Sequence, residues 1–145
     1  MKILVLNGPN LSRLDLREQQ HYGDFDYPEL KKSIEEKAKA LGIEVEIKQS
    51  DSESELISWL HDAADKKQPV IFNPAAFTHY SYAIRDAVTM LTAPVIEVHL
   101  SNPLSREEFR HLSYQRGSKG FNRWIWRRKL QPGFNCNAKT SWLTR

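Results

Sequence analysis

Four short apolar runs stand at intervals along the chain: Lys2–Leu6 (KILVL), Ile43–Ile47 (IEVEI), Val70–Phe72 (VIF) and Pro94–Val98 (PVIEV). Between them, apolar residues recur at helical spacing: Leu30, Ile34, Ala38 and Leu41, then Leu56, Leu60 and Ala63, then Ala83, Ala87 and Leu91. Asp26 with Glu29, Ser52 with Glu55 and Ser105 with Glu108 match the reciprocal N-terminal capping pattern, Pro28 suits a first turn, and Gly42 suits a helix end. Such an alternation constrains the fold more than any other feature. Short, almost wholly apolar strands are buried on both faces, and strands joined through helices run parallel. The pattern predicts an α/β fold of four strands and four helices, with helices on both faces of a parallel sheet. Ligands of such sheets bind beyond the carboxyl ends of the strands.

Composition then removes alternatives. A chain of 145 residues suits one hydrophobic core. It contains no apolar run of about 18 residues, so no membrane-spanning helix is expected, and MKILVLNGPN lacks the apolar stretch of a secretory leader. Cys136 is the only cysteine, which excludes an internal disulfide and a cysteine zinc site. A cytoplasmic protein is the expectation. The formal charge of +3 averages two unlike parts: residues 1–114 carry 13 basic and 18 acidic side chains, whereas all eight charged residues after Tyr114 are basic. That tail also holds Trp124, Trp126 and Trp142. A basic, Trp-rich segment could serve nucleic acid or a membrane surface. It has no clean helical or strand period to build a stacking platform, and neither partner is expected.

Polar residues gather at the strand ends. Asn7-Gly8-Pro9-Asn10 follows the first strand, Asn73 with Thr78 and His79 the third, and Glu97-Val98-His99-Leu100-Ser101-Asn102 the fourth. Glu97 and His99 share a face because side chains alternate along a strand. A carboxylate beside an imidazole fixes its tautomer and favours its charged form, which suits a general acid; a satisfied structural histidine is the other reading. Arg17 and Tyr22 lie five apart in the long segment 8–25, which reads as a loop. A guanidinium beside a phenol stabilises the phenolate, so Tyr22 could act as a base; the plainer reading is a solvated Arg and an anchoring Tyr. Arg106 and Arg110, read as one face of a short helix, could each grip a carboxylate bidentately or simply be solvated. His79 and Asp86 read as two turns of one helix face. No HxxxH or HExxH spacing occurs, and no metal is expected.

Taken together, NGPNL, the RE…YG of the loop, FNPAAFTH, IEVHLSN and REEFRH resemble the type II 3-dehydroquinate dehydratases, from residue 1 to about Tyr114. The resemblance implies a flavodoxin-like fold and the reversible dehydration of 3-dehydroquinate to 3-dehydroshikimate in the shikimate route to aromatic amino acids. It implies no cofactor, no metal and no Schiff base, and a dodecamer built from trimers. By matching motif positions, Tyr22 would be the base, Arg17 would hold its phenolate, and Asn10 would position the water or oxygen that stabilises the enolate. His99 would protonate the departing hydroxyl, tuned by Glu97. Asn73, His79, Leu100, Ser101 and Arg110 would hold substrate hydroxyls and carboxylate, and Asp86 would reach a neighbouring subunit's site. Ala75 and Asp15 stand where the family often has Gly.

The resemblance covers a domain of residues 1–114, and 115–145 is an atypical basic tail. The family continues with an apolar strand, a GFG-like turn and an Ala/Leu-rich helix; here the chain reads QRGSKGFNRWIWRRKLQPGFNCNAKTSWLTR. Read one base later, with synonymous codons free, Tyr114–Gly120 can encode ISGVAKG and the remainder LIAGFGGESYSLALIAMLKQAG, with a stop within Leu143-Thr144. A displaced reading frame is thus one expectation and a divergent native tail the other. As written, the tail is expected to leave the last strand and helix of the sheet disrupted. A catalytically impaired homologue that still binds the small ligand is the alternative function.

Overall fold

The computed structural model describes residues 2–17 and 26–111, together with the backbone of 121–125. Five strands form one parallel sheet: β1 (Lys2–Asn7), β2 (Glu44–Gln49), β3 (Val70–Asn73), β4 (Val95–His99) and β5 (Phe121–Ile125), in the order β2-β1-β3-β4-β5. This is the flavodoxin-like arrangement, in which the chain reverses its direction of growth between β1 and β3. Three α-helices separate the strands: α1 (Tyr27–Ala40), α2 (Glu53–Asp65) and α3 (Tyr82–Thr89).

The helix starts follow from their caps. Asp26 accepts from the Glu29 N–H at 2.9 Å while the Glu29 carboxylate accepts from the Asp26 N–H at 3.1 Å, the reciprocal box read from the sequence. At α2 only half of the box forms. Ser52 accepts from the Glu55 N–H, but the Glu55 carboxylate turns to the Ser50 hydroxyl at 2.5 Å. Ser81 caps α3.

Leu4 and Leu6 of β1, Val70 and Phe72 of β3 and Val95 of β4 point to one side, where they pack against Leu56, Leu60 and Ala63 of α2 and Ile84, Ala87 and Val88 of α3. Phe72, Leu6, Leu56, Leu60 and Ile84 are almost completely buried, and full burial of such a side chain is worth about 1.5–3 kcal/mol. The opposite face carries Ile3, Val5, Ile71 and Val98. With α1, through Leu30, Ile34 and Ala38, it lines an apolar groove of about 230 Å³.

Four expectations need correction. Residues 11–16 are not plain loop but a 3-10 segment that buries Leu11 and Leu14. The fourth helix is absent: Pro103–Ser105 and Glu108–His111 are separate 3-10 turns. The buried face of α3 is Ile84, Ala87 and Val88, and Ala83 is exposed. Finally, the tail does add a strand. β5 pairs with β4 from Val95↔Phe121 to His99↔Ile125. The demand for a continuous apolar run applies to strands buried on both faces. Backbone pairing at a sheet edge is less exacting, and Phe, Trp and Ile favour extended backbone. The helix expected to follow β5 lies outside the described residues.

Candidate active site

A cavity of about 190 Å³ opens at the carboxyl ends of β1, β3 and β4, beside the point where the sheet reverses. Asn7 and Asn73 stand in register there, and the Gly8 N–H donates to the Asn73 carbonyl at 2.8 Å. The chain leaves β1 through Asn10, which takes a left-handed conformation (φ 65°) that Asn tolerates better than most residues. The Asp51 carboxylate accepts from the Asn10 N–H at 2.7 Å and from the Gln49 side chain at 3.0 Å, so the end of β2 buttresses this turn.

Eight of the eleven residues given roles by the resemblance line the cavity: Asn10, Arg17, Asn73, His79, His99, Leu100, Ser101 and Arg110. Glu97 lies behind His99 and is completely buried. One of its oxygens, Oε1, is hydrogen-bonded to His99 Nε2 and accepts from the Thr78 hydroxyl at 2.9 Å. The shared face read from alternation is therefore a direct contact. Asp86 lies exposed on α3, outside this cavity. It does not share a helix with His79, because His79 ends the 3-10 turn Ala75–His79 and Ser81 starts α3 afresh. Tyr22 lies outside the described residues.

The far wall comes from the two 3-10 turns after β4. Arg106 and Arg110 both line it, although no continuous helix places them there. Arg110 donates to Glu107 at 2.7 Å and lies 4.8 Å from the centre of the Phe109 ring, whose edge meets His79. The Glu107 carboxyl sits below the usual carboxylate range through a backbone hydrogen bond and that Arg110 contact. Arginines on one wall and a carboxylate-backed imidazole on another fit a small polyhydroxylated acid: guanidinium groups bind carboxylates, and the imidazole can move a proton. Among the described residues no cluster of side chains could hold a metal ion, and no helix is long and apolar enough to cross a membrane.

The sequence reading missed Thr78 as a partner of Glu97, the Asp51–Gln49 buttress and the conformation of Ala75. Ala75 has φ 52°, the left-handed region that favours Gly, and its N–H donates to the Asn73 side chain at 3.2 Å. Gly at this position in the family it resembles was the available signal. Asp15, the other departure, takes no left-handed conformation and pairs with Arg13 at 3.0 Å.

Comparison with known proteins gives a consistent result. The Dehydroquinase class II family matches residues 1–119. A 3-dehydroquinate dehydratase of Mycobacteroides abscessus is 59% identical over 114 residues, 79% of either chain. One from Salinispora tropica is 52% identical over 113 residues, 78% of this chain and 79% of that one. Among solved structures, the type II dehydroquinase from Propionibacterium acnes superposes with a TM-score of 0.80 at 49% identity, covering 86% of this chain and 84% of that chain. The enzyme from Butyrivibrio crossotus gives 0.81 at 43%, covering 88% of both.

Proposed function

The chain belongs to the class II dehydroquinase family, and from that premise we propose that it is a 3-dehydroquinate dehydratase, a hydro-lyase of the shikimate route that works without cofactor or metal. The observation that carries the reading is the convergence of Asn10, Arg17, Asn73, His79, His99, Ser101 and Arg110 on one cavity, with Glu97 buried behind the imidazole.

Tyr22, as phenolate held by Arg17, takes the proton from C2 of the substrate. The resulting enolate is stabilised through the oxygen or water that Asn10 positions. His99 then gives its proton to the departing hydroxyl, which leaves as water, and Glu97 supports the imidazolium before that transfer. Asn73, His79, Leu100, Ser101 and Arg110 hold the substrate's hydroxyls and carboxylate. Asp86, exposed on α3, contributes to a neighbouring subunit's site within a trimer, and the trimers assemble to a dodecamer in the cytoplasm.

The ultraviolet absorbance of the conjugated enone product tests the reading. The purified protein should turn over 3-dehydroquinate with no added metal. Tyr22→Phe should lower kcat by about 100- to 10,000-fold, the usual worth of a general base, while still binding ligand. Wild-type kcat in that variant would sink the assignment. The mismatch of residues 115–145 with the family motifs favours a second reading, a homologue that binds this ligand without turning it over. Saturable binding with no enone formed would support that one.

A further inference from the structure

We propose that Thr78 is a positioning residue for this reaction: its buried hydroxyl holds the Glu97 carboxylate and, through it, fixes the tautomer of His99. The inference rests on the reading of His99 as the acid.

Glu97 has no exposed surface and Thr78 is 1% exposed. A carboxylate removed from water is costly unless donors meet it. Two donors reach Glu97, and both go to the same oxygen, Oε1: Thr78 Oγ1 at 2.9 Å and His99 Nε2. Among the described residues Oε2 has no hydrogen-bond partner. Thr78 is therefore half of the described donor set of this carboxylate.

A carboxylate can only accept, so Thr78 must donate to it and His99 must present Nε2–H. That leaves Nδ1 as the nitrogen that gives up and regains the catalytic proton, the ring alternating between the imidazolium and the neutral Nε2–H form. The turn that carries Thr78 also carries His79, which lines the cavity, so one short segment serves both the ligand wall and the support of the acid. Among the described residues, the charged or titratable groups that line the cavity with His99 are Arg17, His79, Arg106 and Arg110. Arg123 of β5 stands in register with Glu97, and α2 and α3 pack apolar residues against the sheet face that Val95 and Glu97 share.

The test compares wild type, Thr78→Val, which keeps the shape and loses the hydroxyl, and Thr78→Ser, which restores it. Thr78→Val should lower kcat about 10- to 100-fold, the loss expected for one hydrogen bond to a charged group, with KM within about threefold. Thr78→Ser should keep kcat within about threefold of wild type. Nitrogen-15 spectra of the histidine rings should show neutral His99 as the Nε2–H tautomer in wild type and in Thr78→Ser, and a mixture of tautomers in Thr78→Val. Thr78→Val with wild-type kcat, Thr78→Ser as impaired as Thr78→Val, or a wild-type His99 protonated on Nδ1 would each overturn the proposal. If Thr78→Val does not fold, Thr78→Ser and the wild-type ring spectrum still decide. A wild-type protein without turnover would defeat the functional reading alone, because the ring spectra judge Thr78 independently of activity.

Discussion

Gly8 is the point at which sterics tie the fold to the site. Its φ is not in the left-handed region, so conformational freedom is not the reason for Gly here. Close approach is. A Cβ on Gly8 would lie 2.7 Å from the Pro74 carbonyl oxygen, 2.9 Å from the Pro74 carbonyl carbon and 3.1 Å from the Asn73 oxygen. All three are backbone atoms, and no rotamer change relieves them. Ordinary contact begins at 3.4 Å, so in Gly8→Ala the ends of β1 and β3 must part by about 0.7 Å. That movement stretches the 2.8 Å bond from Gly8 N–H to the Asn73 carbonyl beyond useful length. Overpacking of this kind costs about 1–3 kcal/mol and the lost bond about 1 more, while the stiffer unfolded chain returns about 0.4–1. The expected net loss is about 1–3 kcal/mol, read as a lower urea midpoint at unchanged slope. Asn10 and Asn73 flank the same junction, and displacement of a positioned group by a fraction of an ångström to 1 Å can cost up to about 100-fold in rate. kcat/KM should therefore fall further than the stability loss alone would cause. A Gly8→Ala protein within about 0.5 kcal/mol of wild type, with kcat/KM within twofold, would refute the close-approach argument.

Ala75→Gly should raise the unfolding free energy by up to about 1 kcal/mol, read as a higher urea midpoint, because relief of the left-handed backbone, about 1–2 kcal/mol, exceeds the entropy Gly adds to the unfolded chain. A lower midpoint would mean that the methyl's packing against Leu11, Leu14 and Leu100 dominates. The Lys2 ammonium at 2.9 Å and Lys48 at 3.2 Å hold the Glu46 carboxyl below its usual range. A depressed folded value contributes stability above the ordinary carboxylate range and loses it as pH falls through the folded value. Glu46→Gln should thus cost less than about 1 kcal/mol at pH 7, and nothing in acid below that range, by denaturant melts at each pH. The tail offers a comparison of two chains: the sequence as it stands, and one in which residues from about 114 follow the reading frame one base later. The second should melt higher and resist limited proteolysis beyond β5, whereas equal melting with residues 115–145 protected in the first would establish the tail as native.

The strands β1, β3 and β4 were legible because each is short, largely apolar and followed by Asn, Gly or Pro, whereas β2 showed through its β-branched residues alone; β1 to β4 lie within a residue or two of the runs that predicted them. The helices were legible where a cap and a single stripe agree, as in α1. At α3 two stripes compete, Ala83-Ala87-Leu91 and Ile84-Ala87-Val88, and alanine fits either side of a helix. Only the packing against α2 chose the second. The 3-10 segments left no trace because a turn of three to six residues is too short to show a period. The site divides in the same way. Residues at strand ends, Asn10, Asn73 and His99 among them, follow from topology, since a parallel sheet brings its carboxyl ends together whatever the loops do. The Thr78–Glu97 bond does not follow, because it spans 19 positions and two elements. No periodicity encodes such a pairing.

The tail separates these two kinds of information. Its strand survives a sequence unlike the family's, as Phe121–Ile125 pairs along the whole of β4, because pairing at an edge is a backbone property. Covering a sheet face is a side-chain property. The groove lined by Ile71, Val98 and Leu100 beside α1 is almost wholly apolar, and parallel sheets are normally covered on both faces. A helix bearing a continuous apolar stripe could cover it. The written residues 126–145 interrupt every such stripe with Pro132-Gly133 and carry five of the tail's eight cations. With synonymous codons free, the displaced frame can encode SLALIAMLKQAG at the corresponding place, an amphipathic pattern of the required kind. The four strands before the tail are common to both chains, but only the displaced frame supplies a helix suited to the groove.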